Sequence, residues 1–371
     1  MPGPPPSDKD PHIVDQWVDA QGVDHAIVDV WSNNVEAEMD SILELIEKYP
    51  YIAMDTEFPG EVYTASSTNS SGYATYDKVR ANVDQLKLIQ LGITLSTKDG
   101  VLPPGKCSWQ FNFEFDQETD RINQESLTLL SNSGFLFDNH KVKGIDSFHF
   151  AEIMTTSGLV LNDNMTWVTF QAGYDFAYLL KMVTGRNLPS KLPEFNAQLK
   201  EWFPRVYDIR ILTNRKGSLN ALADSFEIVR HGIKHQAGSD SLITSETFFR
   251  VVDQRFHNKL DDSMYLNRIA GIDDDFDNYA YSQSKPFNPK QHFQPPQVPP
   301  ASAASTASFN PAHSIPRQGI AYGYSPAQMF IPQHNIPSQQ YMPMMATQHP
   351  YNQYGYPPMS QPPYQNTQMP M

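Results

Sequence analysis

The C-terminal quarter of the chain sets the firmest limit on what this sequence can fold into. Of the 30 prolines in 371 residues, 18 lie between Pro286 and Pro370, among Gln, Asn, Tyr, Met and Ser. Such a segment cannot bury enough apolar surface to offset the entropy that a chain loses on folding. We therefore expect a disordered tail over residues 276–371, either solvated without an essential role or capable of weak self-association. A flexible segment over residues 1–25 would leave residues 26–275 as the folded domain.

Composition excludes several classes of protein. The formal net charge of −14 at pH 7 argues against a broad basic surface that coats nucleic acid, so any such contact must be local or mediated by cations. The single cysteine, Cys107, excludes an intrachain disulfide and a zinc site built on cysteines, and we expect it to pack rather than react. No apolar run approaches the ~18 residues of a membrane span, and the N-terminus lacks the layout of a secretory signal. We expect no membrane partner.

Hydrophobic periodicity predicts an α/β fold. Apolar residues at helical spacing indicate helices at 35–50, 75–83, 125–134, 149–158, 174–183, 218–229 and 239–256, the last with Ser239 as its N-cap. Short apolar or alternating runs indicate strands at 51–58, 84–96, 109–115, 167–170 and 206–212. In the strand at 109–115, aromatic residues alternate with polar ones, as on a sheet with one face in solvent. The order of these elements predicts a mixed sheet flanked by helices.

Two acids follow one of these strands in the stretch YIAMDTEFPG. Strand side chains alternate, so Asp55 and Glu57 point to the same face just before a Pro-Gly turn. Asp175 and Asp240 each lie in the first turn of a predicted helix. His235 lies on the loop that leads into the helix of Asp240. Four carboxylates and one imidazole thus stand at the ends of elements, where sheet folds gather functional side chains.

Clustered carboxylates are typical of sites for hard divalent cations. Mg²⁺ and Mn²⁺ prefer oxygen ligands, and without a cation four clustered acids would raise one another's pKa. Two such ions ~3.5–4 Å apart can activate a water and stabilise the leaving oxygen in phosphodiester hydrolysis. The ordinary pKa of histidine, ~6.5, would suit His235 to take a proton from that water. An acidic protein can then bind a phosphate chain through the cations.

Each residue of this set also has a plainer interpretation. A D-x-E pair is common at strand ends, and Asp175 and Asp240 taken alone would be acids favoured by the helix dipole. His235 alone would be a surface-loop residue, and Asp208 we expect to be structural. The sequence contains no P-loop, GxSxG, HExxH or dinucleotide-binding motif. Only the five residues together indicate a catalytic site.

In chain order, D-x-E, an Asp at a strand–helix junction and H-x-x-x-x-D resemble the DEDD exonuclease superfamily, histidine subtype, which has an RNase H-like fold. The similarity is closer to the CAF/Pop-type deadenylases, catalytic subunits of the CCR-NOT complex, and runs from about Ile27 to Gly271. It is carried by the stretches MDTEFPG, NVDQLKLIQLGIT, PPGKCSWQFNFEF, GIDSFHFAEIMTTSG, GYDFAYLLK and IKHQAGSDSLIT.

The resemblance implies roles for the five residues and an activity for the chain. It makes His235 the general base and four residues the ligands of two divalent cations, Mg²⁺ or Mn²⁺: Asp55, Glu57, Asp175 and Asp240. It implies 3′-to-5′ removal of poly(A) tails from messenger RNA with release of AMP. The expected partners are the 3′ end of poly(A) RNA, the large Not scaffold, a leucine-rich-repeat CCR-type deadenylase and BTG/Tob-type adaptors. The expected localisation is the cytoplasm, including processing bodies, and the nucleus.

Two positions near the acids are candidates for substrate contact. The chain reads QAGYDFAYL where the family usually reads HSGYDFGYL, so Gln171 stands four residues before Asp175 in place of a His. Phe58, next to the D-x-E pair, could wedge against the terminal base, and core packing is an equal alternative.

Two other functions fit parts of the pattern. A scaffold that bridges complex subunits with little activity would not need five costly groups at these spacings. A DNA exonuclease could use the same five residues, and only the longer stretches of resemblance argue against it. We therefore expect an active exoribonuclease.

Overall fold

Seven strands form one mixed sheet within residues 10–63, 74–215 and 217–272, the parts of the chain that the computed structural model describes. The strands are β1 (Ile13–Val18), β2 (Asp24–Val30), β3 (Tyr51–Glu57), β4 (Gln90–Ser96), β5 (Gly105–Asn112), β6 (Thr166–Thr169) and β7 (Val206–Asp208). The predicted tail over residues 276–371 lies outside the described residues.

Helices connect and cover these strands. They are α1 (Val35–Leu43), α2 (Ala74–Val83), α3 (Gln124–Asn132), α4 (Phe137–Lys143), α5 (Ser147–Thr156), α6 (Gly173–Thr184), α7 (Leu192–Trp202), α8 (Ile209–Thr213), α9 (Leu219–Ser225), α10 (Ala237–Phe256) and α11 (Asp262–Tyr265). Within the described ranges, no helix has both the length and the apolar character needed to cross a membrane.

The strand order places β3 inside the sheet. The order is β1-β2-β5-β4-β3-β6-β7. β4 runs antiparallel to both β5 and β3, and β1 runs antiparallel to β2. The pairs β2–β5, β3–β6 and β6–β7 are parallel. The predicted mixed sheet flanked by helices is confirmed.

Apolar side chains hold a layer of helices against each face of the sheet. On β3, Ile52 and Met54 lie in the larger core, with residues of α1, α2, α5, α6 and α7. Ala53 points the other way, into a second core with Phe248 and Val251 of α10. This alternation is the period of two that a strand imposes, and it places α10 alone across the centre of the second face.

The face of β5 that was expected to meet solvent is buried. Gln110 and Asn112 are only 3% and 1% exposed. The first turn of α10 covers them, because the main-chain N–H of Gly238 donates to Gln110 Oε1 over 3.1 Å. The prediction of a sheet with one solvent face here is therefore wrong. The polar residues of this strand serve contacts inside the protein.

Two predicted boundaries also differ from the structure. Of the strand predicted at 206–212, only the first three residues are extended, because Asp208 accepts a hydrogen bond from the main-chain N–H of Arg210 and begins α8. Helix α10 begins two residues before Ser239, whose hydroxyl donates to the carbonyl of His231 instead of capping the helix.

A strand, β1, forms within the segment 1–25 that was expected to be flexible. β1 pairs with β2, and its side chains alternate between half-buried and exposed. The pattern was missed because the half-buried positions include a carboxylate, Asp15, and because the strand follows a proline-rich start.

Candidate active site

The D-x-E pair lies on the face of the sheet that α10 covers. Asp55 and Glu57 continue the series of Ala53 along β3, so both side chains leave the strand on the side of the second core. The strand ends at Glu57, and the chain then turns through Pro59 and Gly60. The two carboxylates therefore stand at the open end of a buried central strand.

A glycine on the neighbouring strand lets the start of α10 approach these acids. Gly92 of β4 pairs directly with Asp55. A Cβ at Gly92 would lie 1.8 Å from the carbonyl oxygen of Ala237, the first residue of α10. Any side chain at Gly92 would therefore push the helix away from β3. Because this contact is made, Asp240 in the first turn of α10 lies above the strand of the D-x-E pair.

Helix α6 brings the third acid to the site. Asp175 is the third residue of α6, directly after β6, the parallel neighbour of β3. The hydroxyl of Thr56, which lies between Asp55 and Glu57, donates to Asp175 Oδ1 over 2.5 Å. The middle residue of the D-x-E motif, which is itself buried, thus helps to fix the rotamer of Asp175.

Asp240 is held by the loop that precedes α10. Arg230 donates to Asp240 Oδ1 over 2.7 Å, and the main-chain N–H of His235 donates to Oδ2 over 2.9 Å. One potential ligand atom from each of Glu57, His235 and Asp240 lies within 4.8 Å of the others. His235 therefore belongs to the same group as two of the acids, close enough to share a bound ion or a bound water with them.

The carboxylates interact strongly with one another. Burial raises the pKa of Asp55 well above its ordinary value, and the charges of Asp240, Asp175 and Glu57 raise it further. Burial and then the charges of Asp240 and Asp175 raise the pKa of Glu57 to about 8. Burial raises the pKa of Asp175 to about 6, against the hydrogen bond from Thr56. Such mutual repulsion is the signature of a site that gains from a cation.

The structure brings together the five residues predicted from the motifs, but some of them lie closer to one another than others. Glu57, His235 and Asp240 form the tight group, whereas Asp55 and Asp175 lie outside that 4.8 Å group and share its field. Burial lowers the pKa of the His235 imidazole, and the charge of Asp240 partly offsets this. An imidazole with a lowered pKa is neutral near pH 7, the form that accepts a proton.

The two candidate substrate positions have contacts within the protein. The ring of Phe58 stacks on Tyr174, with centroids 5.0 Å apart and planes 25° apart, and also touches Tyr178. Gln171 is exposed, and its side-chain oxygen accepts a hydrogen bond from Arg210. Their contact with substrate stays a prediction. The structural role expected for Asp208 is confirmed, since it is buried and accepts from four main-chain N–H groups.

A set of buried amides beside the acids was missed in the sequence. We call it the amide network: Asp29, Gln90, Gln110, Asn112 and Gln236. Gln236 Oε1 accepts from Gln90 and Gln110 over 3.0 Å each, and Asp29 Oδ1 accepts from Gln110 and Asn112 over 2.8 and 3.1 Å. Gln236 follows His235, and Gln90 pairs with Glu57 across β3 and β4. The sequence signal was a polar residue at every second position of the strand at 109–115, which was interpreted as exposure.

Comparison with known proteins places the chain in a family. The family model described as "CAF1 family ribonuclease" matches residues 30–153 and 159–248. The poly(A) ribonuclease pop2 of Schizosaccharomyces pombe is 46% identical over 252 residues, which cover 66% of this chain and 75% of that protein. The CCR4-NOT transcription complex subunit 7 of Caenorhabditis elegans is 42% identical over 239 residues, or 62% and 77% of the two chains.

Solved structures show the same fold. S. pombe Pop2p in its Mg²⁺- and Mn²⁺-bound form matches with a TM-score of 0.64 and 45% identity over 66% of this chain and 99% of that one. Yeast CAF1, co-crystallised with the NOT1 MIF4G domain, matches with a TM-score of 0.56 and 32% identity over 66% and 96%. These matches confirm the predicted α/β nuclease fold. The chain belongs to the CAF1 family of ribonucleases.

Proposed function

We propose that this protein is a 3′-to-5′ exoribonuclease that shortens poly(A) tails, hydrolysing the last phosphodiester with two divalent cations and releasing 5′-AMP. The observation that carries the proposal is the convergence of four mutually repelling carboxylates and one imidazole at the ends of β3, α6 and α10. Among residues 10–63, 74–215 and 217–272, the one group of acids and histidine close enough to hold a metal ion also lies here: Glu57, His235 and Asp240.

The donor set fits hard divalent cations. Carboxylate oxygens are the ligands that Mg²⁺ and Mn²⁺ prefer, and the raised pKa values of Asp55 and Glu57 show that the folded chain holds more negative groups here than it can ionise alone. The residues that would hold the ions are Asp55, Glu57, Asp175 and Asp240. A related protein, S. pombe Pop2p, has been solved with Mg²⁺ and Mn²⁺ bound.

The protein's own groups have distinct parts in the reaction. Bound cations would supply Lewis acidity to the attacking water and the leaving oxygen. His235 accepts a proton from that water as its oxygen bonds to the terminal phosphorus. The bond from phosphorus to the 3′ oxygen of the preceding nucleotide then breaks, and that oxygen takes up a proton from solvent water, which leaves a new 3′ hydroxyl end and 5′-AMP. Thr56 and Arg230 hold Asp175 and Asp240 in their rotamers throughout.

Relatives supply the support for poly(A) as the substrate and for the assembly. The S. pombe relative is named a poly(A) ribonuclease, the C. elegans relative a subunit of CCR4-NOT, and yeast CAF1 was crystallised with the NOT1 MIF4G domain. We infer that this chain is a catalytic subunit of such a complex and docks on a Not-type scaffold. Docking to a leucine-rich-repeat deadenylase and to BTG/Tob-type adaptors, and residence in the cytoplasm with its processing bodies and in the nucleus, belong to the same proposal.

The proposed catalytic unit extends further toward the N-terminus than the sequence indicated. The family match at residues 30–248 lies within the predicted domain at 26–275, and β1 adds residues 13–18 to the same sheet. We propose that residues 276–371 are dispensable for hydrolysis of a short oligomer. Deleting them should leave the rate within about twofold, and a large loss would show that the catalytic unit includes the tail.

One experiment tests the proposed activity. The purified chain is incubated with 5′-labelled A-, C- and U-homopolymers and Mg²⁺ or Mn²⁺, and the products are resolved by length and by nucleotide. We expect one-nucleotide shortening of the A-homopolymer with release of AMP, and no shortening in EDTA.

A matched pair of variants ties that activity to the site. Asp240→Ala should abolish release of AMP, whereas Asp224→Ala, which removes an exposed acid from the neighbouring α9, should leave the rate unchanged. Normal degradation by Asp240→Ala would show that the assigned ligand set is wrong. A wild-type chain that binds poly(A) RNA without shortening it would favour the scaffold alternative.

A further inference from the structure

The loop that carries Arg230 and His235 has little regular structure of its own. Residues 229–235 lie between α9 and α10 and belong to neither helix. His235 adopts a φ of +62°, in the left-handed region that non-glycine residues rarely occupy. A conformation of this kind persists only where surrounding contacts impose it. The contacts that shape this loop therefore bear directly on where His235 and the Asp240 carboxylate lie.

Strand β1 supplies two of those contacts. Asp15 Oδ2 accepts a hydrogen bond from the main-chain N–H of Gly232 over 2.7 Å. The indole of Trp17 stacks on the imidazole of His231, with ring centroids 4.1 Å apart and planes 11° apart. The indole of Trp17 also contacts the ring of His25 on the neighbouring strand β2, and this contact supports the indole. Residues 231 and 232 are thus held by the same face of β1.

A bulge in β1 aims this face at the loop. Ile13 pairs with Val28 and Asp15 pairs with Ile27, so the register between β1 and β2 shifts at Val14. Bulges of this kind turn side chains toward functional sites. The side chains of Asp15 and Trp17 then lie on the half-buried face of the strand, whereas Gln16 between them is exposed.

The opposite side of the loop leaves no room to shift. Gly232 adopts a φ of +77°, and a Cβ there would lie 3.0 Å from Ser239 Cβ and 3.1 Å from Ile27 Cδ1. The hydroxyl of Ser239 donates to the carbonyl of His231, and Arg230 donates to the same hydroxyl over 2.7 Å. The loop is therefore pressed between β1 and the first turn of α10.

We propose that β1 is a positioning element for the catalytic loop: Asp15 and Trp17 clamp residues 231 and 232, and so set Arg230 and His235 on either side of Asp240. Arg230 and the N–H of His235 fix both oxygens of Asp240, so a loop that relaxes releases the rotamer of a metal-binding carboxylate. β1 precedes residue 30, where the family match begins, so the clamp adds to the matched core. This inference rests on the proposed function for its catalytic readout alone.

The test compares Asp15→Ala and Trp17→Ala with Asp15→Asn and with the matched control Gln16→Ala, all in the full chain. Three quantities are measured: hydrogen exchange of the peptide over residues 229–236, the affinity for Mn²⁺ by calorimetry, and kcat and KM on an A-oligomer. Asp15→Asn keeps an oxygen that can accept from Gly232, and Gln16→Ala removes a side chain from the other face of the strand.

We expect Asp15→Ala and Trp17→Ala to speed exchange in the loop, weaken Mn²⁺ binding several-fold and lower kcat about 10-fold, with KM within about twofold. A 10-fold loss is below the ~10²-fold that a misplacement of 1 Å can cost. Asp15→Asn should restore most of each quantity, and Gln16→Ala should match the wild type. A purely structural β1 would instead lower the melting temperature without changing Mn²⁺ affinity or kcat of the folded fraction.

The proposal would be overturned if Asp15→Ala had the same loop exchange, Mn²⁺ affinity and kcat as the wild-type protein. If Trp17→Ala fails to fold, the Asp15→Ala and Asp15→Asn pair still decides. If the wild-type chain itself releases no AMP, the proposed function fails, whereas exchange and Mn²⁺ affinity still test the clamp.

Discussion

Two polar regions lie under the start of α10, and they are built on opposite principles. In the amide network, each donor meets an acceptor, and Gln90, Gln110 and Gln236 each bond to a partner on another element. In the acidic cluster, which we define as Asp55, Glu57, Asp175 and Asp240, acceptors exceed donors, and burial and repulsion raise the pKa of three of the four.

The difference shows which region stabilises the fold and which one costs stability. Buried amides that satisfy one another fix how two elements meet, and here they join β4 and β5 to the residue after His235. Four clustered carboxylates with one counter-charge among the described residues, that of Arg230 on Asp240, oppose folding until a cation neutralises them. The network therefore supports the position of the cluster, and the cluster is the site that we propose for the chemistry.

Removing one acid of the cluster should have the largest effect on activity, and it tests whether the cluster and the network differ as described. Asp55→Ala should reduce release of AMP below detection, because a carboxylate ligand is lost. In EDTA the same variant should melt at the wild-type temperature or above it, because a source of repulsion is also lost. Activity assays test the expected loss of AMP release, and thermal melts in EDTA test the expected effect on stability.

The control for that variant is an acid that has its own counter-charge. Asp262 accepts hydrogen bonds from Arg205 and Tyr207, so Asp262→Ala should lower the melting temperature in EDTA and leave AMP release unchanged. If metal-free Asp55→Ala melts clearly below the wild-type protein, the carboxylates of the cluster do not destabilise the fold by repelling one another.

The next largest effect is expected at the imidazole. His235→Ala should slow hydrolysis by about 10²–10⁴-fold, the usual contribution of a general base, with little change in stability because His235 is half-buried and its main-chain bond to Asp240 remains. The rate is measured under single-turnover conditions, so that the chemical step is observed.

The half-buried His149 provides the comparison, since its Nε2 lies 3.5 Å from Glu36 Oε1 and outside the site. His149→Ala should keep the wild-type rate. A loss below about 10-fold in His235→Ala would argue that another group takes the proton, and that His235 serves the cluster as a ligand, as its place within the 4.8 Å group would permit.

The sequence predicted the cluster better than the network, for a physical reason. Single acids at element ends are common, but D-x-E followed by H-x-x-x-x-D is a recognisable set that gives the order of these residues along the chain. Gln110 and Asn112 alternate with aromatic residues just as solvent-facing residues do. Periodicity reports which face a side chain occupies and says nothing about what later covers that face. Only the approach of α10 through Gly92, a tertiary contact, buries them.

The N-terminal strand was missed for a related reason. Ile13, Asp15 and Trp17 do alternate with more exposed residues, but a carboxylate at a half-buried position breaks the apolar pattern. Its partner is a main-chain N–H, Gly232, more than 200 residues away. Local sequence carries no information about such a partner, so the strand was interpreted as a flexible segment.

A smaller effect tests the network itself. Asn112→Ala removes one of the two acceptors of Gln90 and one of the two amide donors to Asp29 Oδ1, so the network loses two of its hydrogen bonds. We expect the free energy of unfolding to fall by about 1–3 kcal/mol in denaturant titrations. The exposed amide Gln117 is the control, and Gln117→Ala should stay within about 0.5 kcal/mol. A neutral Asn112→Ala would show that the network does not stabilise the fold.

The smallest expected effect concerns pH and separates the cluster from other buried acids. The pKa of Glu57 is about 8 in the folded chain against an ordinary 4.5, so unfolding releases its proton between those values. The free energy of unfolding in EDTA should therefore fall as pH rises from about 4.5 to 8. Glu57→Gln should reduce this fall, and Mg²⁺ should reverse it, because cation binding favours the ionised form.

Glu246 is the matched control for that titration, since burial raises its pKa to about 7 on the same helix that carries Asp240. Glu246→Gln should also reduce the fall with pH, because its proton is released on unfolding in the same direction. The two residues should differ in their response to the cation. Mg²⁺ should suppress the contribution of Glu57 to the fall in unfolding free energy with pH and leave the contribution of Glu246 unchanged. If Mg²⁺ affects both variants equally, the ion acts on the fold in general, and the distinction between an acidic cluster that needs a cation and ordinary buried acids is wrong.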